Sequence, residues 1–178
     1  NDLSNYENER LSLVIEEIPN DLVGVKNLAE LLNNYVLNPD ETFSFMEVIK
    51  EKIGSANSEA LNFIASVLYS AVLETEYEIL EHHQQSLLPT YIDPGREAQV
   101  SLENNEDLKF RNNSGHVGLI KLSIKNNKIK VEIYSEGKNK NVKVTIEQEY
   151  VKKRTITRYS KDLPAGQYKL IQSGEDGL

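Results

Sequence analysis

Cysteine and tryptophan are absent from this chain of 178 residues, and methionine occurs once. Without cysteine the protein has no disulfide, no thiolate metal ligand and no thiol nucleophile. No run approaches the roughly 18 consecutive apolar residues that a membrane-spanning helix needs. A glycine-rich phosphate loop and a nucleophile elbow are also missing. What remains is an ordinary globular composition, with 39% apolar and 27% charged residues.

The net charge of −8 is unevenly distributed along the chain. Residues 1–107 contain 21 acids and 5 bases, whereas residues 108–178 contain 7 acids and 15 bases. We expect weak attraction between the two parts, or a basic surface that is solvated or faces an anionic partner. We do not expect nucleic acid as that partner, because the aromatic residues of the basic part are too scattered for a stacking platform.

The first amphipathic pattern spans residues 25–36. Apolar residues at Val25, Leu28, Leu32 and Val36 recur every three or four positions, which predicts a short helix. The run Asn38-Pro39-Asp40-Glu41 predicts a turn, and residues 43–45 alternate like a short strand.

A second helix is predicted over residues 60–73, after the helix-starting run Asn57-Ser58-Glu59. It is apolar on nearly every side, which is typical of a helix buried in the middle of a domain. Its polar exceptions share one stripe at helical spacing: Asn62, Ser66, Tyr69 and Ser70. Polar groups on a buried helix need hydrogen-bond partners or water.

Later segments read as strands and turns. The predicted strands are residues 77–83, 108–111, 117–124, 128–134 and, as one or two strands, 142–159. Residues 112–115 and 126–127 are predicted hairpin turns, and Asp93-Pro94-Gly95 is a predicted loop turn. We therefore predict an α+β fold: a helical N-terminal half packed on an antiparallel β-sheet, plus a partial all-β C-terminal unit.

A set of short motifs occurs in fixed order between residues 25 and 136. They are Phe43-Ser44-Phe45, Ser66-Val67-Leu68-Tyr69-Ser70-Ala71, Glu78-Ile79-Leu80-Glu81, His83, Ser86, Pro94-Gly95-Arg96 and Phe110-Arg111-Asn112-Asn113-Ser114-Gly115. Each is weak alone, but together they resemble the VanW-like domain. That family is found in bacterial envelope proteins and is named from a vancomycin-resistance gene cluster. The resemblance implies an extracytoplasmic, cell-envelope location, either membrane-anchored or secreted, with membrane contact only through a segment upstream of Asn1.

Three further motifs stand near the C-terminus. They are Thr155-Ile156-Thr157-Arg158-Tyr159, Leu163-Pro164-Ala165-Gly166 and Gln172-Ser173-Gly174-Glu175-Asp176-Gly177. They resemble the opening of the small β-domain called G-five, which is linked with binding of N-acetylglucosamine-containing wall sugars. The resemblances imply a lead-in over residues 1–24, a VanW-like domain over 25–136, and a linker with a truncated G-five-like unit over 137–178.

The chain departs from the family pattern at the point where chemistry is expected. The family commonly has three glycines, then isoleucine, cysteine and glutamine; here Asn62 stands at the cysteine position and Phe63 at the glutamine position. Of two family histidines, the first corresponds to His83 and the second position is Gln85. A cysteine near a helix N-terminus with a nearby histidine suits thiol chemistry. The resemblance therefore implies a family site that lacks its nucleophile in this chain.

Five residues are candidates for ligand binding: Asn62, Ser66, Tyr69, His83 and Arg96. An amide both donates and accepts hydrogen bonds, and a guanidinium forms bidentate bonds to a carboxylate. Each residue also has a structural interpretation, which for Arg96 is an internal salt bridge with Glu97 or Glu81. We expect no metal and no cofactor, since His82 and His83 would point to opposite faces of a strand.

Three functions stay open at this point. In the first, the chain is a non-catalytic binding or scaffold module, which holds a peptidoglycan sugar or peptide, or a partner protein, between helix 60–73 and residues 83–96. In the second, it is a cell-wall-modifying enzyme that uses His83 and a non-thiol nucleophile. In the third, it is a spacer that presents the following β-domain. The missing family nucleophile favours the first.

Overall fold

The structure, a computed structural model, describes residues 2–137. Within them it is an α+β fold, as predicted. The strands are β1 (Glu9–Glu17), β2 (Tyr35–Leu37), β3 (Thr42–Ser44), β4 (Glu78–Glu81), β5 (Lys109–Arg111), β6 (Gly118–Lys125) and β7 (Lys128–Ser135). The α-helices are α1 (Val25–Leu32), α2 (Phe45–Ile49) and α3 (Ser58–Val72), and two short 3₁₀ helices are Ser4–Tyr6 and Ile53–Ser55. The predicted G-five-like unit and the strands over 142–159 lie outside the described residues.

The larger sheet has the order β1-β7-β6-β2, and its neighbouring strands are antiparallel. The predicted turn Asn126-Asn127 joins β6 to β7, with φ angles of 54° and 60°. Two consecutive positive φ angles are what a type I′ hairpin requires, and asparagine tolerates them. The turn thereby sets the register of the hairpin, in which Lys125 faces Lys128.

The sequence pattern does not predict strand β1, which lies inside residues 1–24, the expected lead-in. Its apolar residues are contiguous at Leu13-Val14-Ile15 and do not alternate cleanly. The strand pairs with β7, with a register shift between Arg10 and Ser12. The N-terminal half is therefore less helical than expected, since it supplies strands β1 to β4.

The smaller sheet has the order β3-β5-β4. Phe43 of β3 stacks on Phe110 of β5 with ring centroids 4.6 Å apart, and both side chains are fully buried. The prediction of a hairpin at residues 112–115 is wrong, because β5 and β6 belong to different sheets. These residues instead carry the chain between the sheets. Buried Asn112 holds the crossing, since its Nδ2 donates to the carbonyls of Leu37 and His116.

Helix α1 is shorter than the predicted helix over residues 25–36. Asn34 has a φ of 63°, a left-handed conformation that ends a helix, and Val36 already pairs with Leu119 in the larger sheet. At the other end, Gly24 precedes the helix with a φ of 95°. A Cβ there would overlap the backbone at Ser55, so this position requires glycine.

The predicted strand over residues 43–45 is also cut short, because Phe45 begins helix α2. Ser44 is the N-cap of this helix, and its Oγ accepts from Glu47 N at 3.2 Å. The carboxylate of Asp107 accepts from Ser44 Oγ at 2.5 Å and from Met46 N at 2.9 Å. A residue distant in sequence thus helps to decide where the strand ends.

Helix α3 agrees with its prediction. Asn57 caps it by accepting from Ala60 N at 3.0 Å. The helix packs against α1 and against strands β1 and β7, and Phe63, Ile64 and Leu68 are fully buried. This central position brings its polar stripe inside the domain.

Ion pairs join the acidic and basic parts of the chain. Lys109, Arg111 and Lys121 each lie within 4 Å of an acid from residues 1–107. Because these side chains are partly exposed, each pair contributes roughly 0–1 kcal/mol. Within the described residues the two parts are therefore joined by weak ion pairs, and a net attraction between them stays a prediction.

Candidate functional site

The polar stripe of α3 is covered by residues 96–100, called the covering segment below. This segment runs beside the helix in the opposite direction. Three evenly spaced hydrogen bonds join them: Arg96 Nη2 to Ser70 O (2.9 Å), Ala98 N to Ser66 Oγ (2.8 Å) and Val100 N to Asn62 Oδ1 (2.9 Å). Four helical residues rise about 6 Å and two extended residues about 6.6 Å, so the two repeats stay in step. The stripe therefore meets backbone and side-chain partners of its own protein.

The stripe is closed around Ser66. This side chain is fully buried, and its Oγ both accepts from Ala98 N and donates to Ala98 O at 3.1 Å. Gln85 Nε2 donates to the same carbonyl at 3.1 Å and to Tyr91 Oη at 2.6 Å. The ring of Tyr91 packs edge-on against Phe63, with centroids 5.1 Å apart. These side chains fill much of the space in which we expected a cleft between the helix and residues 83–96.

Tyr69, also on the stripe, lies against His82 and not against the predicted His83. The Tyr69 and His82 rings stack with centroids 3.9 Å apart and planes 11° apart. His82 Nε2 donates to Glu97 O at 2.7 Å, which fixes the ring between the helix and the covering segment. Burial raises the pKa of Tyr69, and the charge of Glu97 adds to the rise. Strand alternation separates His82 from His83 but does not tell which one faces α3.

His83 belongs to a different cluster. Its Nε2 lies 2.7 Å from Glu81 Oε2, which also accepts from Asp107 N at 3.0 Å. Lys109 Nζ is 3.7 Å from the other oxygen of Glu81. The hydrogen bond from His83 lowers the pKa of Glu81, partly offset by burial. Within residues 2–137, the side-chain contacts of His83 do not bring it to the stripe.

Arg96 forms an internal salt bridge, as its structural interpretation predicts, but the partner is neither Glu97 nor Glu81. Its Nη2 lies 3.0 Å from Glu74 Oε2. The other oxygen of Glu74 accepts from Ser12 Oγ at 3.1 Å and from Leu13 N at 3.4 Å, on the outer edge of β1. Arg96 thus connects the end of α3 to the edge of the larger sheet, a strand that the sequence did not predict.

At its N-terminal end the stripe is open. A cleft of about 490 Å³ separates the start of α3 from the loop that follows Val100. Its walls combine apolar, amide and hydroxyl side chains with one acid: Ile53, Ser58, Leu61, Asn62, Gln99, Val100, Ser101, Leu102, Glu103 and Asn104. Of the five predicted site residues, Asn62 alone lines this cleft.

The sequence did not predict the second wall of the cleft, which residues 99–104 form. Gln99 sits opposite α3 on the covering segment, and its Nε2 donates to Glu106 Oε1 at 2.9 Å. An isolated bridge between Ser101 and Glu106 closes the loop that carries these residues. No local pattern marks Gln99, because residues 97–100 form neither helix nor strand. The binding roles of Ser66, Tyr69, His83 and Arg96 stay predictions, and each has a partner within the protein.

Within residues 2–137, no three histidine, aspartate or glutamate side chains are grouped closely enough to hold a metal ion. None of the helices in the same range has the length and apolar character needed to cross a membrane.

Comparison with known proteins finds a family model that matches part of the chain. Residues 61–134 match the family model described as VanW like protein, a span that includes the second half of the cleft. Over 123 residues the chain is 24% identical to "Uncharacterized protein YoaR" of Bacillus subtilis (strain 168), an alignment that covers 60% of this chain. It covers 40% of that relative, so this chain spans well under half of the relative's length. No solved structure matches the chain.

Proposed function

We propose that this chain contains an extracytoplasmic cell-envelope domain that binds a peptidoglycan fragment and leaves it chemically unchanged. The similarity of residues 61–134 to VanW like protein supports the location. The observation that carries the binding function is the open cleft at the start of α3, with Asn62 on its wall. Ligand sites are typically concave, partly apolar and furnished with a few fixed polar groups, and this cleft has all three properties.

The chemistry of the lining favours binding over catalysis. Asn62, which stands at the cysteine position of the family pattern, is neither a nucleophile nor an acid–base group at neutral pH. Glu103 is the one ionisable residue among the side chains that line the cleft. Glycoside hydrolysis commonly needs a pair of carboxyl groups, so this wall by itself does not form such a site.

The test is co-sedimentation of the full chain with purified peptidoglycan. Ser58→Phe fills the cleft from the exposed first turn of α3, and we expect it to weaken binding about tenfold. Asn113→Phe places the same side chain in an exposed loop outside the cleft, and should bind like the wild type. A folded wild-type chain that does not sediment with peptidoglycan contradicts the proposal and leaves the enzyme and spacer functions open.

One contact favours a second candidate, a wall-modifying enzyme. The 2.7 Å contact between His83 and Glu81 resembles a base oriented by a carboxylate, as in many nucleophilic hydrolases. Release of soluble muropeptides by the wild type, lost in His83→Ala, would support this function. Full turnover by His83→Ala would exclude His83 as the general base. Absence of turnover by the wild type would reject the enzymatic function.

A further inference from the structure

Two amide side chains line the same cleft, and each is fixed at one end by a hydrogen bond within the protein. Asn62 on α3 uses its Oδ1 to accept from Val100 N at 2.9 Å. Gln99 on the covering segment uses its Nε2 to donate to Glu106 Oε1 at 2.9 Å. Both side chains are partly buried, and both line the cleft.

These partners decide which way each amide points. The oxygen and nitrogen of an amide are normally interchangeable unless a partner distinguishes them. A backbone N–H must be met by the oxygen of Asn62, and the carboxylate of Glu106 must be met by the nitrogen of Gln99. The remaining groups are therefore the Nδ2 donor of Asn62 and the Oε1 acceptor of Gln99. Within residues 2–137 neither group forms a hydrogen bond, so both stay available to a ligand.

We infer that the cleft recognises a secondary amide, whose carbonyl accepts from Asn62 Nδ2 and whose N–H donates to Gln99 Oε1. One fixed donor and one fixed acceptor match the two polar edges of such a group. A carboxylate would place an oxygen against Gln99 Oε1, and an ammonium would place a donor against Asn62 Nδ2. The apolar side chains of Leu61 and Val100 on the same walls suit the methyl or side-chain carbon beside the amide.

This inference rests on the proposed function and names its ligand class. Peptidoglycan carries secondary amides in two places, the N-acetyl groups of its sugars and the peptide bonds of its stems. Both sources offer the same donor and acceptor. The experiment therefore has a sugar arm and a peptide arm.

Calorimetric titration of the full chain tests the inference with defined probes. The sugar arm compares the trimer of N-acetylglucosamine with cellotriose, a neutral trimer with a hydroxyl in place of each acetamido group. The peptide arm uses acetyl-trialanine amide. Asn62→Asp keeps an oxygen for Val100 N but removes the donor, Gln99→Met removes the acceptor, and Asn113→Asp makes the same charge change at an exposed loop position.

We expect one of the two amide probes to bind, and both cleft variants to weaken it about tenfold while Asn113→Asp leaves it unchanged. If the sugar arm is the one that binds, cellotriose should bind at least about tenfold more weakly. Equal binding of the two trimers in that arm, or an unaffected affinity in both cleft variants in either arm, overturns the amide inference. If peptidoglycan still sediments the wild type in that case, the proposed function stands; if nothing binds, both fail. The comparison of the two trimers needs no variant, so it decides the sugar arm even if a substitution prevents folding. In the peptide arm, either cleft variant that folds decides.

Discussion

The closed part of the α3 stripe, around Ser66, and its open part, at Asn62, both consist of polar side chains. These side chains have different roles in the two parts. Around Ser66, a fully buried hydroxyl satisfies both the N–H and the carbonyl of Ala98. One helical turn earlier, Asn62 satisfies one backbone N–H and presents the rest of its amide to a cleft. Helical spacing places both residues on one face, whereas the length and path of the covering segment determine which one is sealed.

The contrast separates stability from recognition. A buried polar group without a partner costs free energy, so the closed contacts should matter most for folding. A polar group that borders an open cleft can exchange its protein partner for water, so its loss should cost less. Three predictions test this ordering by the free energy of unfolding, from the largest effect to the smallest, and a fourth tests a contact outside the stripe by a pKa.

Ser66→Val should give the largest loss of stability. It leaves the buried Ala98 N–H without its acceptor, whereas Ala98 O keeps Gln85 Nε2 as a donor, and we expect a loss of about 2–3 kcal/mol. Urea unfolding followed by circular dichroism measures the loss. The same substitution at exposed Ser123 of strand β6 is the control, and should change stability by less than about 0.5 kcal/mol. A loss of stability no larger than that of Ser123→Val would mean that the stripe is open to solvent around Ser66.

Arg96→Met should cost less, about 1–2 kcal/mol, because it removes a charged hydrogen bond to Ser70 O and a partly exposed pair with Glu74. Within the described residues Arg96 Nε is buried without a partner, and the variant removes that unfavourable group. A double-mutant cycle with Glu74→Gln isolates the ion pair. We expect a coupling below about 1 kcal/mol, and a larger value would assign the stability of this region to the ion pair.

Asn62→Leu should cost at most about 1 kcal/mol, because water in the cleft can reach Val100 N once the amide oxygen is gone. Asn62→Asp keeps an acceptor and should cost less still. Unfolding of both variants, measured beside Ser66→Val, gives the difference directly. If Asn62→Leu costs as much as Ser66→Val, the cleft is as closed as the rest of the stripe, and the contrast fails.

His83→Ala, which alters a cluster outside the stripe, should have the smallest effect at neutral pH. The pKa of Glu81 is below its usual value of 4.5, chiefly because His83 bonds to it, so the stabilising effect is present above about pH 4.5. It is lost as the pH falls through the lowered pKa of the folded state. Carbon-13 NMR titration should show the Glu81 pKa rising in His83→Ala and unchanged in His116→Ala. An unchanged pKa in His83→Ala would show that this bond does not form in solution.

Several parts of the fold follow from local sequence. Asn57 caps α3 because its short side chain reaches back to Ala60 N, and the all-round apolar pattern of the helix predicts its burial. Asn126-Asn127 turns a hairpin because both residues adopt positive φ. These features depend on residues that are close together in the sequence, so local sequence patterns predict them.

Other parts depend on partners far along the chain. Strand β1 exists because β7 pairs with it, and its own pattern is too weak to predict it. The end of α1 and the start of α2 are set by contacts with β6 and Asp107. Residues 112–115 have the composition of a hairpin turn, yet they cross between sheets, because turn residues do not specify which strand comes next to which.

The candidate site divides in the same way. The sequence by itself determined that thiol chemistry is absent, that Asn62 and Ser66 share a helix face, and that this face needs partners, because composition and helical spacing are local properties. Tertiary structure alone decided that Ser66 bonds to buried Ala98, that Arg96 pairs with Glu74, and that Gln99 and Asn62 line the same open cleft. The path of residues 96–104 over α3 sets all three, and that path depends on packing between segments that lie far apart in the chain.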